Sequence, residues 1–115
     1  MEREYINGIF TEKFNDEALR WAMLMTAIES VGDASLKQNA KTNDPKFFLL
    51  GEASYITQAY VLSLALKDNK LGITNAYWNG MTNITNTAIG MAMGETYTNW
   101  QFLGIGLITA GILLI

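Results

Sequence analysis

Polar and apolar positions alternate along this chain in blocks rather than residue by residue. Charges gather between Met1 and Arg20, between Lys37 and Lys46, and at Lys67-Asp68-Asn69-Lys70; beyond Lys70 the only charge is Glu95. Between these clusters lie four apolar stretches: Leu19 to Leu36, Phe47 to Leu66, Leu71 to Met93 and Trp100 to Ile115. They are too long for strands and lack a period of two, so the pattern predicts helices. Asn15-Asp16-Glu17 supplies acids for a first helical turn. Asn43-Asp44-Pro45 marks a turn that opens the second helix. Gly94-Glu95 and Tyr97-Thr98-Asn99 separate the last two. The expected organisation is a polar extension over 1–17, then one domain over 18–115 with helices near 18–37, 47–66, 71–93 and 99–115.

A hydrocarbon core takes about 20 helical residues to cross. The second and third stretches are expected to meet that length, while the fourth falls short of it. Trp21, Phe47, Phe48, Tyr97 and Trp100 sit near the ends, as in an interfacial aromatic belt. The expected fold class is all-α, a four-transmembrane-helix bundle in an integral, multi-pass membrane protein. A soluble helical bundle competes with it, because the first and third stretches carry polar stripes. The fourth counts against the soluble reading: it has no charge and no polar face, and would have to be buried all round. Under the positive-inside rule, Arg3, Lys13, Arg20, Lys67 and Lys70 on one side oppose Lys37, Lys41 and Lys46 on the other, a weak orientation bias.

Composition narrows the chemistry. Cys and His are both absent from the 115 residues, which removes disulfides, thiol nucleophiles, Cys/His zinc sites and imidazole catalysis. A net charge of −3 without a basic cluster argues against nucleic acid as a partner. No nucleophile–base pair or metal-ligand cluster is visible, so an enzyme, a metal and a cofactor are not expected.

Polar residues inside the stretches are the candidate site. Glu29 lies midway along the first, where an ionisable group is costly and is a functional-site hypothesis by default. Asp33 and Lys37 follow at i+4 and i+8 on the same face, where they can pair. Asn75, Asn79, Asn83 and Asn86 form a stripe on the third helix, beside Trp78, Thr82 and Thr85. Amides in lipid must find partners, so the stripe faces either another helix, as glue, or a wet pathway. Tyr55, Tyr60 and Trp78 are candidates for an aromatic wall beside Glu29, which would favour organic cations. Gly104 and Gly111, seven apart on the last helix, suit close helix packing within or between chains.

The order of these features resembles the small multidrug resistance family, four-helix exporters of the drug/metabolite transporter superfamily. The resemblance is carried by Glu29-Ser-Val-Gly32 followed by Lys37, and by Leu71-Gly72-Ile73-Thr74-Asn75-Ala76-Tyr77-Trp78-Asn79-Gly80. Gly94-Glu95 and the stretch from Gly104 to Gly111 add to it. It implies a proton-coupled antiporter of small organic cations, embedded in a lipid bilayer and working as a homodimer. Glu29 matches the carboxylate that proton and substrate share, Trp78 and Tyr55 match substrate-site aromatics, and Gly104 and Gly111 match the dimer contact. Asp33, Asn75 and Thr82 depart from the family pattern, and the polar extension before Ala18 has no counterpart in it. The alternative is a non-transporting membrane protein on the same scaffold, serving assembly or anchoring, for example in a viral or other membrane-associated shell.

Overall fold

A computed structural model describes residues 16–115, so most of the polar extension lies outside the described residues. Those residues form four helices: α1 (Asp16–Thr42), α2 (Pro45–Ala65), α3 (Leu71–Ala92) and α4 (Asn99–Leu113). Local chemistry sets most of their ends. α1 runs past Lys37 because nothing stops it before Asn43, which turns left-handed at φ 57° and donates its amide to the Asn39 carbonyl at 2.7 Å. Asparagine tolerates that conformation better than any residue but glycine. Asp44 then caps α2, its side chain accepting from the Lys46 amide at 3.0 Å, and Pro45 takes the first helical position. Gly94, at φ 97°, closes α3: the Glu95 amide reaches back to the Gly90 carbonyl and the Gly94 amide to that of Met91. α4 opens on a reciprocal cap between Thr98 and Gln101.

α1 is central and packs on both α2 and α3, while α4 touches α3 alone among the major contacts. The α1–α2 seam is built on small residues. A Cβ on Gly32 would lie 2.8 Å from that of Ser54, and one on Gly51 would overlap the Leu36 side chain. Gly51, Ser54, Gln58, Val61 and Ala65 form the buried face of α2. Spacings of three and four keep them on one side of the helix. At the other seam Ala18 and Ala22 of α1 meet Tyr77 of α3, with Ile112 and Ile115 from the end of α4 against them. Gly80 is what lets Ile112 approach.

α2 and α3, at 21 and 22 residues, have the length expected of them, but no described helix is both long and apolar enough to cross a membrane. Glu52 and Gln58 interrupt α2, and four asparagines interrupt α3. α4 has 15 residues, about 22 Å at 1.5 Å per residue against a hydrocarbon core of about 30 Å.

Candidate functional site

α1 and α3 run parallel and in step. Thr26 faces the Trp78 carbonyl, Glu29 faces Thr82, Asp33 faces Asn86 and Lys41 faces the Met93 carbonyl. Each pair is separated by 52 or 53 positions, so the two helices stay in register along the whole seam. The i+4 spacing of Glu29 and Asp33 is thus matched by the i+4 spacing of Thr82 and Asn86.

Two carboxylates occupy this seam. Glu29 Oε2 accepts from Thr82 Oγ1 at 3.2 Å. The Trp78 indole lies beside the same carboxylate, and its buried Nε1 has no hydrogen-bond partner among the described residues. One turn along, Asp33 is gripped from both sides. The Tyr55 hydroxyl of α2 donates to Oδ1, and Asn86 Nδ2 of α3 donates to Oδ2 at 2.6 Å. Three helices therefore converge on two adjacent acids. Beyond Asp33 a cavity of about 160 Å³ opens between α1 and α3, lined by Asp33, Lys37, Asn86, Ile89, Gly90 and Glu95.

Lys37 does not pair with Asp33 as its spacing suggests. Its ammonium bridges to Glu95 Oε2 at 3.0 Å, and Lys41 Nζ donates to the Met93 carbonyl at 3.0 Å. Tyr97 adds its hydroxyl to Glu95 Oε1 at 2.7 Å. The Tyr97 bond, then the Lys37 bond and charge, hold the Glu95 carboxyl below its ordinary range, and the same bond raises the Tyr97 phenol. The end of α1 is thereby clasped to the α3–α4 connection.

The remaining candidates are scattered. Tyr60 is five positions from Tyr55, on another face of α2, and is largely exposed; it does not join Tyr55 and Trp78. Of the asparagine stripe, only Asn86 enters the site. Asn75, Asn79 and Asn83 are exposed and their side chains make no hydrogen bond among the described residues. Asn75 and Asn79 lie within about 20° of Asn86 around the helix axis, so rotation along the stripe does not single out Asn86; it is the member whose side chain reaches α1, at Asp33. Gly104 and Gly111 face open space. Sequence reasoning missed the Lys37–Glu95 clasp, although Glu95 is the lone charge after Lys70. It also passed over Glu52, an exposed acid on α2.

Comparison with known proteins bears on what this arrangement is. The family model for Small Multidrug Resistance protein matches residues 19–108. Quaternary ammonium compound-resistance protein QacE of Escherichia coli is 31% identical over 101 residues, covering 83% of this chain and 89% of that protein. A putative ethidium bromide resistance protein of Salmonella typhimurium is 33% identical over 100 residues, 82% of this chain and 84% of that one. A multidrug transporter of Pseudomonas aeruginosa is 32% identical over 90 residues, 77% and 82% of the two chains. No solved structure matches. With a family model over most of its length and relatives of this identity and coverage, the chain belongs to the small multidrug resistance family.

Proposed function

We propose that the chain is an integral-membrane, proton-coupled antiporter of small organic cations that works as a homodimer. The observation that carries this reading is Glu29: a carboxylate midway along α1, held by Thr82 and flanked by Trp78, in a chain of this family. Relatives named for resistance to quaternary ammonium compounds and ethidium supply the substrate class. Support for a membrane comes from the surface. Leu49, Ile56, Leu71, Leu107 and Leu114 are all largely exposed, an apolar envelope that water does not favour. Support for a second copy comes from α4, which has no buried residue and carries Gly104 and Gly111 on open faces.

In this mechanism proton and cation compete for the same carboxylate. A protonated Glu29 has no net charge to offer. A deprotonated one attracts the cation, while Trp78 contributes its ring face, worth about 0.5–2 kcal/mol. Binding of one partner releases the other, and alternating access to the two sides turns that exchange into antiport. Cation binding consequently strengthens as pH rises, because the deprotonated form is the one that binds.

The test is proton release by detergent-solubilised protein on addition of ethidium in weak buffer. The parent should bind ethidium and acidify the solution, and Glu29→Gln should do neither. If Glu29→Gln binds as tightly as the parent and neither is sensitive to pH, the antiporter reading fails. The assembly alternative then leads; the exposed amides of Asn75, Asn79 and Asn83, unbonded among the described residues, are the observation that favours it.

A further inference from the structure

We infer that Lys37, Glu95 and Tyr97 form a gate over one end of the α1–α3 seam, closed in this structure, and that releasing it opens the cavity beyond Asp33 to water. The inference rests on the transport-site reading, which requires the seam to be reached from outside and then shut again. It adds the device that does so at this end.

The clasp already described has the parts of a gate. Gly94 turns the chain back over α3 with a φ of 97°, which glycine adopts without strain, and the Glu95 amide donates to the Gly90 carbonyl at 2.9 Å. Gly90 is the seat: a Cβ there would overlap the Glu95 carboxylate and the Tyr97 hydroxyl. Both carboxylate oxygens are then engaged, Oε2 by Lys37 of α1 at 3.0 Å and Oε1 by Tyr97 at 2.7 Å. The Tyr97 ring meets Phe102 of α4 edge-on, with centroids 5.6 Å apart. One side chain thus joins α1, the end of α3 and the start of α4. Lys41 holds the Met93 carbonyl beside the pivot.

Position makes this clasp a gate rather than a brace. The cavity of about 160 Å³ has Asp33 and Asn86 toward the middle of the seam, and Lys37, Gly90 and Glu95 further along toward its end. Reaching Asp33 from the α3–α4 connection therefore means passing the ion pair. In a bilayer the flanks of the seam face hydrocarbon, so its end is the wet approach. The bonds that close it exchange readily with water. The Lys37 and Glu95 side chains are 45% and 37% exposed, and ion pairs so placed are weak. Once parted, each charge is hydrated, and Gly94 gives the connection a hinge. The opposite end of the seam is closed by Ala18, Ala22 and Tyr77, with Ile112 and Ile115 against them. Apolar contact of that kind opens only by exposing itself to water. The two ends are unequal, and the polar one is the one that releases.

The chain has no cysteine, so Ala34→Cys, in the cavity wall, places a single thiol behind the gate. The experiment measures how fast that thiol is modified by an anionic reagent, sulfonatoethyl methanethiosulfonate, in the detergent-solubilised full chain. Adding Lys37→Gln or Glu95→Gln to Ala34→Cys should speed modification by about fivefold in both cases. An effect of local charge on the reagent and the thiolate would instead slow Lys37→Gln and speed Glu95→Gln. Ala22→Cys, at a fully buried position near the opposite end, should stay slow in every background. Unchanged rates at Ala34→Cys, opposite shifts in the two variants, or equal acceleration at Ala22→Cys would each overturn the inference. If neither variant folds, Ala34→Cys alone decides: raising salt from about 0.05 to 1 M should speed its modification severalfold by screening the ion pair, and an unchanged rate overturns the inference. No substrate enters the measurement. Its failure is therefore distinct from failure of the antiporter reading, which shows as ethidium binding that survives Glu29→Gln.

Discussion

The α1–α3 seam and α4 are opposite solutions to holding a helix in place. The seam is polar, and most of its polar groups are bonded, with Trp78 Nε1 and Asn86 Oδ1 left over among the described residues. Thr82, Asn86, Tyr55 and the Lys37–Glu95 clasp give its charged side chains partners within the chain. α4 is apolar and nearly bare, with no buried residue of its own. Directional bonds make the first self-sufficient. The second has non-directional surface that gains free energy only when something covers it. On the reading proposed above, chemistry belongs to the part the chain completes alone, and association to the part it leaves open.

The largest effect should come from breaking that contrast with the same substitution in both places. Gly32 sits against Ser54 on α2, whereas Gly104 has nothing within 4 Å. Gly32→Leu should destabilise the fold by about 3 kcal/mol or more through overpacking. Gly104→Leu should leave the thermal midpoint of the monomeric fold unmoved, within about 0.5 kcal/mol. If α4 is where two copies meet, Gly104→Leu should still shift elution of the detergent-solubilised protein toward monomer. Equal destabilisation by the two substitutions would show that α4 is packed within its own chain.

A smaller contrast lies within the asparagine stripe. Asn86→Leu removes a donor to a carboxylate and should cost about 1.5–3 kcal/mol in chemical unfolding. Asn79→Leu, on an exposed face, should fall within about 0.5 kcal/mol of the parent. The stripe illustrates what was legible in the sequence and what was not. Its spacing identified one side of α3 and its amide chemistry. Tertiary packing then decided that a single member, Asn86, reached a partner among the described residues. Lys37 teaches the same lesson from the other direction: Asp33 is its neighbour along the helix, but Glu95, distant in sequence, is the partner that tertiary packing delivers. Caps were readable because they are local. Asn43-Asp44-Pro45 opens α2 as its residue types require, and α1 overruns Lys37 because lysine is no stop signal. Glu29 was legible because a carboxylate in an apolar stretch stands out whatever surrounds it.

The smallest effect concerns the clasp. The Glu95 carboxyl is held below its ordinary range, chiefly by Tyr97 and then by Lys37. A depressed folded-state pKa stabilises the protein above the ordinary carboxylate range of about 4.3, and that stabilisation is lost as pH falls through the lower, folded value. Acidification below about pH 4 should therefore loosen the α1–α3–α4 connection, seen as reduced protection of the amides around Met93 to Tyr97 relative to their intrinsic exchange rate at each pH. Glu95→Gln should exchange faster already at neutral pH and lose that pH dependence. An unchanged exchange profile in Glu95→Gln would mean that the backbone cap at Gly94 holds the connection by itself.

The constant offset between α1 and α3 also sets an order of events at the ribosome. α1 and α2 are joined by a turn of only Asn43 and Asp44, so their hairpin can close as soon as both have emerged, with Tyr55 reaching Asp33. Thr82, the partner of Glu29, is synthesised 53 residues after it, about 3 to 10 s later at ordinary elongation rates. Throughout that interval the nascent chain carries a carboxylate midway along a helix with its eventual donor still unmade. Whatever receives α1 from the ribosome must tolerate that charge, or supply it with a proton, until α3 arrives.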